Sequence, residues 1–141
     1  MAGDFLGTYD PKEVTLDFAG ISISGFFDGT FITCAKADPE LYKKHIGAHG
    51  EVARTKNNND SGSITFVLKK TSPSNIALDL LKRNPATAPV LVKNNSTGRH
   101  ITAAETAWID NDPDITFSDE EDSIEWIIGC ANIIMSHLPN P

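Results

Sequence analysis

Positive charge is scarce in this chain, and so are cysteines, long apolar runs and the short motifs that mark catalytic centres. Twelve Lys and Arg stand against nineteen Asp and Glu, leaving a formal charge of −7. Basic residues cluster no more densely than Lys43-Lys44 or Lys69-Lys70. A surface that grips nucleic acid by neutralising phosphates needs the opposite balance, so tight, direct DNA or RNA binding is not expected. The two cysteines, Cys34 and Cys130, each sit in an apolar strand pattern. In a reducing compartment they read as two buried thiols rather than a bridge. No apolar run is long enough to span a bilayer. Met1–Phe5 carries neither a basic n-region nor an h-region, so synthesis in a cytoplasm is expected.

Catalytic equipment is equally sparse. No Gly-x-Ser-x-Gly elbow and no Gly-x-x-x-x-Gly-Lys loop occurs. Ser22, Ser24, His100 and Asp17 could meet in space, but a chain of this size contains such a set by chance. His45 and His49 have a helical metal-ligand spacing, yet Gly47 and Gly50 weaken a helix there. From Asp110 to Glu121, oxygen-bearing residues fall at the ligand positions of an EF-hand loop. Ile115 stands where that loop demands glycine and Pro113 stiffens it, so an aspartate-rich turn is the better reading. The sequons at Asn94-Asn95-Ser96-Thr97 carry no meaning without a secretory route. Trp108 and Trp126 read as core or interface anchors. No catalytic residue, metal site or cofactor is expected.

What is present is β grammar. Val14, Leu16 and Phe18 alternate with Thr15 and Asp17, and Ile21 and Ile23 alternate with Ser22 and Ser24. Ala19-Gly20 breaks the run, and Asp28-Gly29 is a strong two-residue hairpin signal. The spacing predicts an antiparallel meander of three strands over Val14–Ala35. A strand over Phe31–Lys36 should end at Ala37-Asp38-Pro39, because proline cannot donate to a ladder. Residues 38–60 read as a projecting loop, irregular over Pro39–Gly50 and with a brief strand at Glu51–Lys56. Asn57–Gly62 is a turn cluster, and Ser63–Lys70 alternates again.

The single helix expected is Pro73–Arg83, with Ser72 as N-cap, Pro73 at the first position and Asn84-Pro85 as the stop. Ile76 with Leu80, and Ala77 with Leu81, give its apolar stripe, while Asp79 and Lys82 face away. Strands are predicted at Pro89–Lys93, Arg99–Ile109, Ile115–Ser118 and Ser123–Met135. In the last, Ile127 breaks alternation, which suggests cover on both faces. Asp119–Asp122 reads as a solvated corner. With 141 residues and no repeat, linker or low-complexity tail, residues 1–141 read as one domain.

The combination of Val14-Thr-Leu-Asp-Phe-Ala-Gly-Ile-Ser-Ile-Ser-Gly-Phe with Ser123-Ile-Glu-Trp-Ile-Ile-Gly-Cys-Ala resembles the tail-tube proteins of contractile-tailed bacteriophages. The long loop near Asp38–Asp60 and the Ser-Pro start of the Ser72–Asn84 helix add to the likeness. The resemblance implies a mainly β fold: a small two-sheet sandwich or barrel with one flanking helix. It implies hexameric rings that stack into a hollow conduit for DNA, on the same plan as the haemolysin-coregulated proteins of type VI secretion. Tail sheath, baseplate and tape-measure proteins would be its partners, and the virion tail its place.

An acidic lumen would let DNA slide without sticking. The polar faces of the opening strands, Glu13, Thr15, Asp17, Ser22 and Ser24, are the lumen candidates. Tyr42, Lys43, Lys44, His45 and Ile46 are candidates for ring-on-ring contact, with Asp119, Glu120, Glu121 and Asp122 as their complement. Two other readings stay open: a tube subunit of a DNA-free injection particle or secretion system, and a monomeric β-sandwich binding module.

Overall fold

Alternating apolar residues need a second wall to pack against, and a sheet that folds over on itself provides it. The computed structural model describes residues 6–84 and 86–139. The readings made at Met1–Phe5 and at Pro85 concern positions outside them. After a short 3-10 turn at Pro11–Glu13 come β1 (Val14–Phe18), β2 (Ile21–Ile23), β3 (Ile32–Lys36), β4 (Tyr42–Ile46), β5 (Val52–Lys56) and β6 (Gly62–Lys69). The helix α1 (Ser74–Arg83) precedes β7 (Ala88–Asn94), β8 (His100–Ile109), β9 (Ser123–Cys130) and β10 (Ile134–His137). The fold is mainly β, as expected; among the described residues it has one helix and two sheets.

The larger sheet runs β2-β1-β7-β8-β9-β6-β3, with β10 added to β8. β8 belongs to both walls. Its first half pairs with β7 and β10, and Ala107–Ile109 pairs with β9. A register shift opposite Ala88 and Val90 puts an extra residue into β8, so Glu105 and Thr106 both point outward while Ala104 and Ala107 are buried. Such a bulge bends the sheet where the strand passes from one wall to the other. Leu16, Phe18, Val90 and Val92 of one wall and Ile64, Phe66, Trp126 and Ile128 of the other form a single buried cluster.

Four local expectations are corrected. Val14–Ala35 is not a three-strand meander: β3 crosses to the far edge, beside β6. The two-residue hairpin turn is Ala19-Gly20, with φ of 55° and 77°, the left-handed pair that matches strand twist. Asp28-Gly29 does not turn the chain back. Phe27 donates to the Val67 carbonyl and Phe31 accepts from the Val67 N–H, so residues 28–30 loop out of one line of pairing along β6. Ile115–Ser118 is not a strand but part of a long connection. Ser123–Met135 is two strands, interrupted at 131–133.

The helix also turns differently. Leu78 and Ser74 are its buried residues, and Leu81 packs on the core, whereas Ile76 and Leu80 face solvent. Its start lies one residue later than expected. Pro73 before it is itself in helical conformation and makes no side-chain cap bond, while Ser72 supplies one: its hydroxyl accepts the Ser74 N–H at 3.3 Å and donates to the Ser24 carbonyl at 2.6 Å. The Ser74 hydroxyl in turn accepts the Ser24 N–H at 3.1 Å. These bonds hold the seam where the chain leaves β2 and joins β6. Gly25 at that seam has φ of 77°, and a Cβ there would stand 2.6 Å from the Ser72 hydroxyl oxygen. Only glycine fits.

Candidate assembly surfaces

Residues 38–60 hold a β-hairpin rather than an irregular loop. β4 and β5 pair only with each other, in the register Tyr42↔Lys56, Lys44↔Arg54 and Ile46↔Val52. All ten strand residues are exposed. The base is clamped: Asn57 Nδ2 donates to Asp38 Oδ2 and to the Glu40 carbonyl, both at 2.7 Å, and its N–H reaches the Leu41 carbonyl. Across the tip, the Gly47 N–H donates to the Glu51 carbonyl at 2.8 Å. The two-residue period puts Tyr42, Lys44, Ile46, Val52, Arg54 and Lys56 on one face. The Arg54 guanidinium lies 4.1 Å over the Tyr42 ring, which fixes that face as cationic along its shank and apolar at its end. Lys43 and His45 project from the other face, so the five candidates of β4 divide between two surfaces.

The acidic connection 110–122 is tied down along its length. Asn111 accepts the Ile127 N–H and donates to the Glu125 carbonyl, continuing the edge of β9. Asp112 meets Lys82 at 2.8 Å, and Lys70 reaches the Thr116 carbonyl and sits over the Phe117 ring. Glu121 accepts from the Thr71 hydroxyl, which holds its carboxyl below the usual carboxylate range. Asp122 accepts from Thr116 and Ser118. Asp110, Asp112 and Glu121 of the EF-hand-like spacing thus turn to separate partners: Trp108, Lys82 and Thr71. Of the four complement candidates, Glu121 and Asp122 are engaged within the chain, while Asp119 and Glu120 are exposed with their carboxylates outside any hydrogen bond or ion pair among the described residues.

The five lumen candidates do not share one surface. Glu13 lies in the 3-10 turn and Ser24 at the seam. Asp17 and Ser22 are cross-strand partners on the outer face of β1 and β2, and Thr15 shares that face with Lys93 opposite. The Thr15 hydroxyl oxygen is itself buried and has no hydrogen-bond partner among the described residues. Leu91, Ile101 and Ile134 continue this face across β7, β8 and β10. A different outer face, across β3, β6 and β9, carries Thr33, Thr65, Ala35, Ser63 and Glu125 in register.

β3 ends the sheet. Its odd-numbered neighbours Phe31 and Ala37 bond to Val67 of β6 and to Ser61 just before it, so the backbone groups of Ile32, Cys34 and Lys36 point along the open edge. His100 stacks edge-on to His137 at 4.9 Å and contacts Thr102 at 2.8 Å, on the opposite face from Asp17; the Ser-His-Asp set does not assemble. Both thiols are free, and burial pushes that of Cys130 up to about 11.

Two surface features were missed from sequence. One is the outward stripe of Ile76 and Leu80, misassigned to the core because 3.6-residue spacing does not say which stripe faces in. The other was readable: no Lys or Arg follows Arg99, while nine of the nineteen acids do.

The fold is shared with solved chains of contractile injection systems and of a virion particle. It aligns with the tube-terminating cap of the anti-feeding prophage at a TM-score of 0.61, 8% identity and 97% of both chains. It also aligns with a chain of the sheath-tube complex of an extracellular contractile injection system at 0.60 and 10%, over 93% of each chain. A chain of the gene transfer agent virion gives 0.59 and 14%, over 94% of this chain and all of that one. In sequence, structural protein ORF10 of Pseudomonas phage KPP10 is 27% identical over 146 residues, covering 94% of this chain and 83% of the relative. Residues 30–136 match the model of the bacteriophage PhiTE tail tube protein family, and the chain belongs to that family. It is a structural component of a phage tail, not an enzyme.

Proposed function

We propose that the chain forms hexameric rings that stack into the inner tail tube, a conduit through which DNA leaves the virion when a surrounding sheath contracts. The family match over residues 30–136 carries this reading. The open edge of β3 supports ring closure, since strand pairing between neighbours would satisfy the backbone groups of Ile32, Cys34 and Lys36. The outer face across β3, β6 and β9 suits a lumen. It adjoins that open edge and carries the hydroxyls of Thr33, Ser63 and Thr65 and the phosphate-repelling Glu125, interspersed with Val67 and Ile127 and with Lys69 at its end.

Thr15, Asp17 and Ser22 form the alternative lumen face, on which Lys93 and the apolar Leu91 and Ile101 would also meet DNA. The hairpin, with Tyr42 to Ile46, is the element that joins ring to ring. Sheath, baseplate and tape-measure proteins complete the tail.

Negative-stain electron microscopy of the purified protein, dilute and then concentrated, tests the proposal. Sixfold rings with a stained central hole, or hollow tubes, are expected. Monodisperse small particles at every concentration, with or without a baseplate seed, would overturn it and favour a monomeric binding module. Tubes from intact particles that never contain nucleic acid would instead indicate a DNA-free injection particle.

A further inference from the structure

An isolated two-stranded hairpin is marginal in water, yet this one is clamped at its base and exposes an apolar pair, Ile46 at 68% and Val52 at 62%. A second unpartnered apolar surface lies elsewhere on the molecule. Ile76 and Leu80 of α1 are 70% and 62% exposed. Beside Ile76, Ile115 and Pro113 of the acidic connection form the far wall of a groove of about 330 Å³ floored by Ile124 and Trp126. Asp79 and Asp112 rim that groove, bridged by Lys82 at 3.0 and 2.8 Å.

The charge around the two surfaces is opposite. Residues 41–57 hold Lys43, Lys44, Arg54 and Lys56 against Glu51 alone, whereas 109–125 holds eight carboxylates and no Lys or Arg. Asp114, next to the groove wall, and Asp119 and Glu120, farther along the same connection, make no ion pair. Two different patches on one chain that complement each other define a head-to-tail contact, which propagates rather than closing as a dimer.

We infer that the hairpin end of one copy seats in the groove between α1 and residues 112–115 of a second copy. Ile46 and Val52 enter against Ile76 and Ile115, and Lys44 and Arg54 face the carboxylates of the acidic connection. The inference rests on the tube reading and gives its ring-stacking contact a partner surface. It moves the complement from the run Asp119–Asp122, half of which is engaged internally, to the apolar groove beside α1. Each contact can be weak, because all copies in a ring engage together.

The test uses two full-length single variants at exposed positions, Ile46→Cys and Ile76→Cys. They are mixed, concentrated, oxidised and run on a non-reducing gel, with the same samples viewed by electron microscopy. The unsubstituted chain, with Cys34 and Cys130, sets the background. A covalent dimer in the mixture, absent from either variant alone, is the expected result. Stacked rings without that dimer would overturn this contact and leave the tube reading standing. The dimer without rings would uphold the contact and overturn the tube reading, and the absence of both would overturn both.

Discussion

The body of the molecule and its β4–β5 hairpin use the same alternating grammar with opposite results. In β6 every second residue, Ile64, Phe66 and Leu68, is buried completely. In β4 and β5 no residue is buried at all. The difference is the second wall. β6 faces the opposite wall of the doubled sheet across a shared core, while the hairpin has only its own two strands and the clamp at Asn57. Burial makes the first a folding unit; the second is ordered by its own ladder and the clamp at its base. The two regions should therefore respond differently to damage.

The largest effect belongs to the body. Phe66→Ala removes a fully buried ring where both walls meet, and should cost about 3–5 kcal/mol of stability, measured by urea unfolding. A loss as small as that of a surface substitution would break the comparison from the body's side.

Acid should act next, and also on the body. Burial first, and the neighbouring His137 second, hold His100 below the free imidazole value of 6.5. The folded state then binds fewer protons than the unfolded one, so this stability is present above 6.5 and lost as pH falls below it. The depressed Glu121 carboxyl works in the same direction further into acid. The urea midpoint should fall with pH through the imidazole range, and His100→Gln should flatten that part of the profile. An unchanged slope would remove the His100–His137 pair from the account.

How much of this could be read in advance follows the same division. Where alternation meets a core, the sequence was legible: β1, β2, β6 and β8 lie within a residue or so of their expected bounds. Long-range placement was not, because nothing local in Ile32–Lys36 states that it pairs with β6 across the molecule from β2. The hairpin was half-read. Tyr42–Ile46 lacks apolar alternation because neither face is buried, and the periodic signal depends on burial. The helix register failed for a related reason, since Leu78 buries alone with Leu81 while Ile76 and Leu80 stay out. The tail-tube likeness held at the level of family, and the candidate lumen residues proved to be spread over three places.

The central claim is that the hairpin serves assembly and not folding. The Asn57 N–H already reaches the Leu41 carbonyl at 2.9 Å, so residues 42–56 can be replaced by a short Gly-Gly link without stretching the chain. Thermal unfolding and electron microscopy of that variant, beside the intact protein, form the decisive measurement. The account predicts a cooperative transition within about 2 °C of the intact protein's, and rings that no longer stack into tubes. A variant that unfolds, or one that still builds tubes, would contradict it.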